Sequence, residues 1–131
     1  MTYEYRQAAR ILLYQGPYLL VLRANGESFT HLVGGGIESG ETPLQAVLRE
    51  CIEELGYGVG YVTFVTILHH TWETAPVHET MYLYRGVLEQ SAGFALPRAR
   101  ESWLTSLCIP WQNAEAVGLQ PKAVYPWLGV F

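Results

Sequence analysis

The chain is short of the features that commit a protein to an oxidising compartment, a membrane or a polyanion. It has two cysteines, Cys51 and Cys108, with neither a CxxC partner nor metal-type spacing, so a disulfide framework and a cysteine zinc site are excluded as organising devices. No apolar run is long enough to span a bilayer. The opening MTYEYRQAAR is too polar for the apolar core of a signal peptide, and a cytoplasmic location with no membrane partner is expected. Charge is sparse as well: 15% of residues are Asp, Glu, Lys or Arg, with 8 cations against 12 anions and a formal net charge of −4. So few cations argue against the basic face that polymeric nucleic acid demands. A small phosphorylated ligand is not excluded, because bound cations offset acidic side chains. There is no internal repeat, low-complexity tract or linker, so residues 1–131 are expected to form a single domain.

What the chain does have is apolar residues, half of the total, enough for a core that hides roughly two thirds of the unfolded surface. Their patterning alternates between strand and helix signals. Residues 3–15 and Tyr18 to Arg23 read as a strand hairpin across Gly16-Pro17. Asn25-Gly26 is a second turn, and Ser28 to Val33 a third short strand. Tyr61 to Trp72 and His78 to Glu89 are rich in Val, Thr, Ile, Met and Tyr and read as strands broken at Ala75-Pro76. Ser91 to Arg100 reads as a loop, Glu101 to Thr105 as a last strand, and Pro110 to Val117 as a helical turn. Pro121 to Leu128 reads as a terminal helix that Pro126 weakens. Strands on both sides of one strong helix imply an α/β sandwich with a mixed sheet.

That strong helix lies in GGGIESGETPLQAVLRECIEELGY, Gly34 to Tyr57. Thr42 is an N-cap, Pro43 occupies the first helical position, Gln45 completes a capping box and Gly56 is a stop, so the helix is predicted over Pro43 to Leu55. Leu44, Val47, Leu48, Cys51 and Leu55 form one stripe, with Ile52 at its margin, which should face the sheet. Glu50, Glu53 and Glu54 then share a different sector, roughly 100° wide. Arg49 is spaced to pair with Glu53. A solvated acidic face is one reading of the three glutamates. A divalent-cation site is the other, since hard cations take carboxylate oxygens and water. Gly34-Gly35-Gly36 is either a flexible turn or a place where bare backbone approaches a ligand.

Taken together, these spacings resemble the Nudix box, G-x5-E-x7-R-E-U-x-E-E-x-G-U. Gly35, Glu41, Arg49, Glu50, Glu53, Glu54 and Gly56 occupy its fixed positions. Cys51 and Tyr57 depart from the bulky aliphatic type at the U positions, and Val33 stands where proline is common. Weaker similarity extends to Ala8-Ala9-Arg10, Leu19 to Arg23, His78-Glu79 and Trp103-Leu104. The resemblance implies a Nudix-like α/β/α sandwich with a mixed β-sheet, and a Mg²⁺-dependent hydrolase, with Mn²⁺ as the alternative ion. Such an enzyme cleaves the pyrophosphate bond of a nucleoside diphosphate linked to another moiety.

By that resemblance Gly35, Glu50, Glu53 and Glu54 are metal ligands and Glu41 acts on the metal indirectly. Arg49 holds the glutamates, and Glu53 is the first choice of general base. Glu79 and Glu101 are the candidates outside the box. Arg23, ending a strand that leads to the glycines, is a candidate for a phosphate contact. The substrate classes are nucleoside triphosphates and nucleotide sugars, and the short chain slightly favours the former. A non-catalytic nucleotide-binding or regulatory module of the same fold is the alternative. His69 and His70 are adjacent on a strand and point to opposite faces, which speaks against a shared metal. The apolar ending from Val124 to Phe131 reads as core, with a homodimer contact as the other role open to it.

Overall fold

The computed structural model describes residues 2–56, 59–72, 75–88 and 103–129. Among the described residues eight strands form one mixed sheet: β1 (Glu4–Gln15), β2 (Tyr18–Ala24), β3 (Thr30–His31), β4 (Val33–Gly36), β5 (Val59–Thr71), β6 (Val77–Leu88), β7 (Leu104–Pro110) and β8 (Leu119–Gln120). The α-helix α1 (Pro43–Leu55) interrupts them between β4 and β5. The order across the sheet is β5-β6-β1-β2-β3-β8, with β4 also on β1 and β7 on β2.

The sheet forks at β1. Along one edge β1 runs parallel to β6, from Glu4 opposite Val77 to Tyr14 opposite Val87. Its other edge is shared: Ala8 to Ile11 pair antiparallel with Gly36 to Val33, and Leu13 to Gln15 pair with Leu20 to Tyr18. The glycine triplet thus belongs to a strand. Three residues without side chains leave the sheet surface bare where α1 crosses it, and the backbone of that strand stays hydrogen-bonded to β1.

Alternation along β1 divides the core in two. Ala9, Ile11 and Leu13 face α1 and pack with Leu20, Leu22, Val33, Val47, Cys51 and Leu55. Leu12 and Tyr14 face the other way and pack with Leu19, Val21, Met81, Leu83 and Val124. Each fully buried Leu or Ile contributes roughly 1.5–3 kcal/mol, so both layers are needed. The sandwich expected from the sequence is present, but its second layer is not an α-helix. Lys122–Trp127 is a 3-10 segment with Pro126 inside it, because proline removes a backbone donor and cannot continue an α-helical ladder. Val124 is fully buried beneath Trp111, Tyr125 and Trp127, so this part of the chain's ending is core.

Other boundaries moved. The strand expected over Ser28 to Val33 is two short pieces separated at Leu32. The last strand starts at Leu104 and runs to Pro110, and the helical turn expected from Pro110 contains a 3-10 turn at Trp111–Asn113. The expected loop Ser91 to Arg100, Glu101 and Tyr57 lie outside the described residues.

The helix has the expected ends. Thr42 Oγ1 accepts from the Gln45 N–H at 3.1 Å and Gln45 Oε1 accepts from the Thr42 N–H at 2.9 Å. Gly56 stops the helix at φ 73°. Its rotation differs from the expected one. Ala46, Val47, Cys51, Glu54 and Leu55 are buried, whereas Leu44, Leu48 and Ile52 are exposed. The buried sector has turned toward the glutamates because strand β4 offers unobstructed backbone there, and Glu54 is drawn in to accept from it.

Candidate active site

Arg49 is the hub of the α1–β4 junction. Its Nε donates to Glu41 Oε2 at 2.7 Å and its Nη2 to Glu41 Oε1 at 3.0 Å, a two-pronged grip on one carboxylate. Nη1 donates to Glu50 Oε1 and Glu53 Oε2, both at 3.0 Å. Nη2 also donates to the Gly36 carbonyl at 3.1 Å. One planar cation thereby binds the loop after β4 to two successive turns of α1, which a lysine ammonium lacks the fork to do. Hydrogen bonding to Glu41 raises the Arg49 pKa further above its ordinary value, and the same bond holds Glu41 below the usual carboxylate range.

The glutamates are not equivalent. Glu54 is 4% exposed, and its Oε1 accepts from the Gly34 N–H at 2.8 Å. Glu50 is partly buried, and burial raises its pKa against the opposing pull of Arg49. Glu53 has a side chain 49% exposed, so it combines an anchor on Arg49 with access to solvent. Gly35 is required by contact: a Cβ there would stand 2.7 Å from Glu50 Oε1 and 2.9 Å from its Cδ. Cys51 beneath the cluster has its thiol pushed up to about 12, by burial and then by Glu54 and Glu50.

Among the described residues no three His, Cys, Asp or Glu side chains converge as a ready cation cage. The chemistry of the box residues, carboxylate and carbonyl oxygen alone, suits a hard Mg²⁺-type ion better than a zinc-type one. The donor set is all oxygen, half-buried at Glu50 and open at Glu53, and the missing Gly35 side chain lets the Glu50 carboxylate lie against the β4 backbone. These residues therefore fit the ion implied by their spacing.

The structure separates Glu79 from this cluster. It shares a strand face with Met81 and Leu83, the face away from α1. Its side chain is fully buried, with Oε1 3.3 Å from Arg10 Nη2 and Oε2 accepting from His70 Nε2 at 2.9 Å. Burial pushes the carboxyl up, but His70 and Arg10 overcome that and hold it at about 2. The guanidinium of Arg10 also stacks over Trp72, 5.4 Å from its ring centre. Arg23, next to last in β2, shares the face of Leu19 and Val21, away from α1, and its buried Nε has no hydrogen-bond partner among the described residues. Glu101 is not described.

Arg10 and His70 are missed by sequence reasoning as partners of Glu79. One signal was available: an arginine inside the apolar run Ala8 to Tyr14 requires a buried anion. His69 and His70 do point to opposite faces, His69 toward Thr80 and His70 toward Glu79.

A cavity of about 490 Å³ is formed by β1, β5 and β6, lined among others by Tyr5, Gln7, His69, Thr71, His78 and Thr80. Tyr5 and Gln7 share a strand face with Ala9 and so face the α1 side. The Gln7 carbonyl accepts from the Ile37 N–H at 3.0 Å, which ties the cavity rim to the loop carrying Glu41. A smaller cavity of about 240 Å³ includes Arg6, Arg10, His31 and Trp72.

A family model described as NUDIX domain matches residues 4–128. No curated protein matches the chain. Among solved structures, a NUDIX hydrolase from Nitrosomonas europaea superposes with a TM-score of 0.72 at 16% identity, covering 92% of this chain and 84% of that one. A MutT NUDIX hydrolase from Burkholderia pseudomallei gives 0.67 at 21% identity, covering 83% and 85%. The dihydroneopterin triphosphate pyrophosphohydrolase of E. coli gives 0.73 at 15% identity, covering 98% and 97%. At these identities the likeness is one of fold.

Proposed function

This chain belongs to the NUDIX domain family, and from that premise we propose that it is a Mg²⁺-dependent pyrophosphohydrolase, with Mn²⁺ as a substitute. Its substrate is a small nucleoside diphosphate linked to another moiety, a nucleoside triphosphate or a nucleotide sugar. The observation that carries this reading is the Arg49 hub, which gathers Glu41, Glu50 and Glu53 beside the bare strand Gly34 to Gly36. A solvated acidic face has no need of a guanidinium bound to three carboxylates and a strand carbonyl. A binding module without turnover would tolerate loss of a carboxylate from the set, and none is lost.

In this reading Glu50, Glu53, Glu54 and the Gly35 carbonyl hold the cation, and Glu41 acts through Arg49 and the loop. When bound, the cation supplies charge neutralisation on the diphosphate and activation of water. The chain's own residues do the rest. Arg49 fixes the carboxylates against their mutual repulsion. Glu54, bonded to the Gly34 N–H, locks helix to strand. Glu53 accepts the proton of the attacking water, because it joins a carboxylate anchored on Arg49 to solvent access. Water oxygen bonds to phosphorus as the bridging P–O bond breaks. The enzyme works in the cytoplasm.

The test is a panel of nucleoside triphosphates and nucleotide sugars with Mg²⁺ or Mn²⁺, with products identified by mass. Cation-dependent cleavage of the diphosphate is the expected outcome. Binding without turnover on every member would support the non-catalytic module instead.

A further inference from the structure

The two margins of the sheet are finished differently. The order β5-β6-β1-β2-β3-β8 leaves β5 and β8 at its ends. β8 is two residues long, Leu119–Gln120, and so short an edge offers little for another strand to join. β5 runs for 13 residues, Val59–Thr71. It pairs with β6 along one side, and among the described residues no strand pairs with its other side. A free edge is a row of N–H and C=O groups, and what matches it is another extended backbone.

The side chains of β5 do nothing to discourage such pairing. Its sequence, VGYVTFVTILHHT, has no Asp, Glu, Lys, Arg or Pro, the residues that ordinarily guard an edge. Bulges disturb it between Gly60 and Thr63 and between Phe64 and Thr66, and these blunt its first half. From Thr66 opposite Leu83 to Thr71 opposite His78 the pairing with β6 is unbroken, and that run is as long as an ordinary strand. Two side-chain bonds fasten it to β6: His69 Nδ1 lies 3.1 Å from Thr80 Oγ1, and Thr71 Oγ1 lies 2.6 Å from His78 Nδ1. The edge is held extended before any partner arrives, so little ordering entropy remains to be lost on pairing.

The flank of this edge is apolar and uncovered. None of the 13 residues is fully buried, whereas β6 beside it alternates buried and half-buried positions. The helix α1 packs on β4 and β1, and Tyr61 is left 86%, Phe64 50% and Ile67 44% exposed. At about 200 Å² per aromatic side chain, Tyr61 and Phe64 expose roughly 270 Å² between them, a third of the about 800 Å² that each partner of a standard interface buries.

Charge selects the occupant. A partner recognised by its charge would need charged side chains along the edge, and β5 has none. A two-fold contact lays a surface against itself, so any charge near the axis meets its like. An uncharged strand escapes that penalty, and antiparallel pairing with its own copy is the two-fold arrangement open to a sheet edge. We propose that β5 is a dimerisation edge. Thr66 to Thr71 pair antiparallel with the same residues of a second copy of this chain, two sheets join into one, and Phe64 and Ile67 are covered at the seam.

Two measurements test it. In sedimentation velocity at micromolar concentration the native chain is expected to run at twice the chain mass. Ile67→Lys places a cation of each copy at the seam, and it is expected to raise the dimer dissociation constant at least about tenfold, with circular dichroism checking the fold. A native monomer overturns the proposal, and so does a dimer that Ile67→Lys leaves as tight as before. The second measurement needs no variant. Hydrogen exchange read by mass spectrometry should slow in residues 66–71 as the native chain is taken from dilute to concentrated solution, at least about tenfold for the amides on the free edge. Exchange that is fast at every concentration overturns the proposal. Slow exchange in a particle of single-chain mass also overturns it, because another part of the same chain then covers the edge.

Discussion

Adjacent glycines in β4 are under different constraints, and one methyl group at each position separates the fold from the site. At Gly34 the backbone has φ +141°, and an added Cβ would stand 2.7 Å from Arg10 Cα and 2.9 Å from Arg10 Cγ, as well as meeting the Ala9 carbonyl. Backbone of the neighbouring strand cannot step aside, and a side chain at this φ is strained by about 1–3 kcal/mol. Gly34→Ala should therefore lose about 2–4 kcal/mol once the clash is added. At Gly35 the added Cβ meets only the carboxylate end of Glu50, at 2.7 Å. That end swings away on a flexible side chain, so Gly35→Ala should cost no more than about 1 kcal/mol of stability. The displaced group is a proposed cation ligand, however, and turnover should fall at least about tenfold, since small misplacements in a site cost up to 10²-fold. Urea unfolding followed by tryptophan fluorescence reads the first quantity and steady-state hydrolysis the second. If Gly35→Ala turns over at the native rate, Glu50 has no part in the site. If Gly34→Ala is as stable as the native chain, the close packing of β4 on Arg10 is wrong.

Two other substitutions probe the charged groups. Arg49→Lys keeps the charge but not the fork that spans Glu41, Glu50 and Glu53, so activity should drop about as far as in Arg49→Ala, with a raised Mg²⁺ requirement in a metal titration; full rescue by lysine would contradict the hub. Glu79 has a folded-state pKa near 2 against an ordinary 4.5, so its contribution is present above pH 4.5 and is lost as pH falls toward 2. At neutral pH that contribution is at most about 3 kcal/mol. The stability gap between the native chain and Glu79→Gln should narrow over that window in urea titrations, and a gap constant from pH 6 to pH 3 would show that Glu79 is not held ionised.

Much of this molecule is legible in the residues, and the remainder is hidden for identifiable reasons. Caps are local, so Thr42, Pro43, Gln45 and Gly56 marked the helix to the residue. The box spacing likewise brought Glu41, Arg49, Glu50 and Glu53 into one group, because its hydrogen bonds span at most one loop and two helical turns. Helix rotation was less accessible. Periodicity identified a stripe through Leu44 and Leu48, yet the neighbour that buries the helix is a strand of glycines, invisible to a count of apolar residues. The Arg10–Glu79 pair joins residues 69 positions apart, and only the parallel register of β1 on β6 brings them together. The His–Thr pairs of the large cavity have the same origin in the β5–β6 register.

The central claim is that the α1–β4 junction binds a divalent cation and cuts a diphosphate. Its most direct test is the rate of Mg²⁺-dependent phosphate-bond cleavage by Glu53→Gln beside the native chain, on the substrate that turns over fastest. Glu53 is half exposed, so the substitution spares the fold, which circular dichroism checks. The account expects native turnover that chelator abolishes and a variant slower by at least about 10²-fold, the usual size of a lost general base. A variant that cleaves at the native rate with an intact fold would contradict the assignment of Glu53, and with it the site as described.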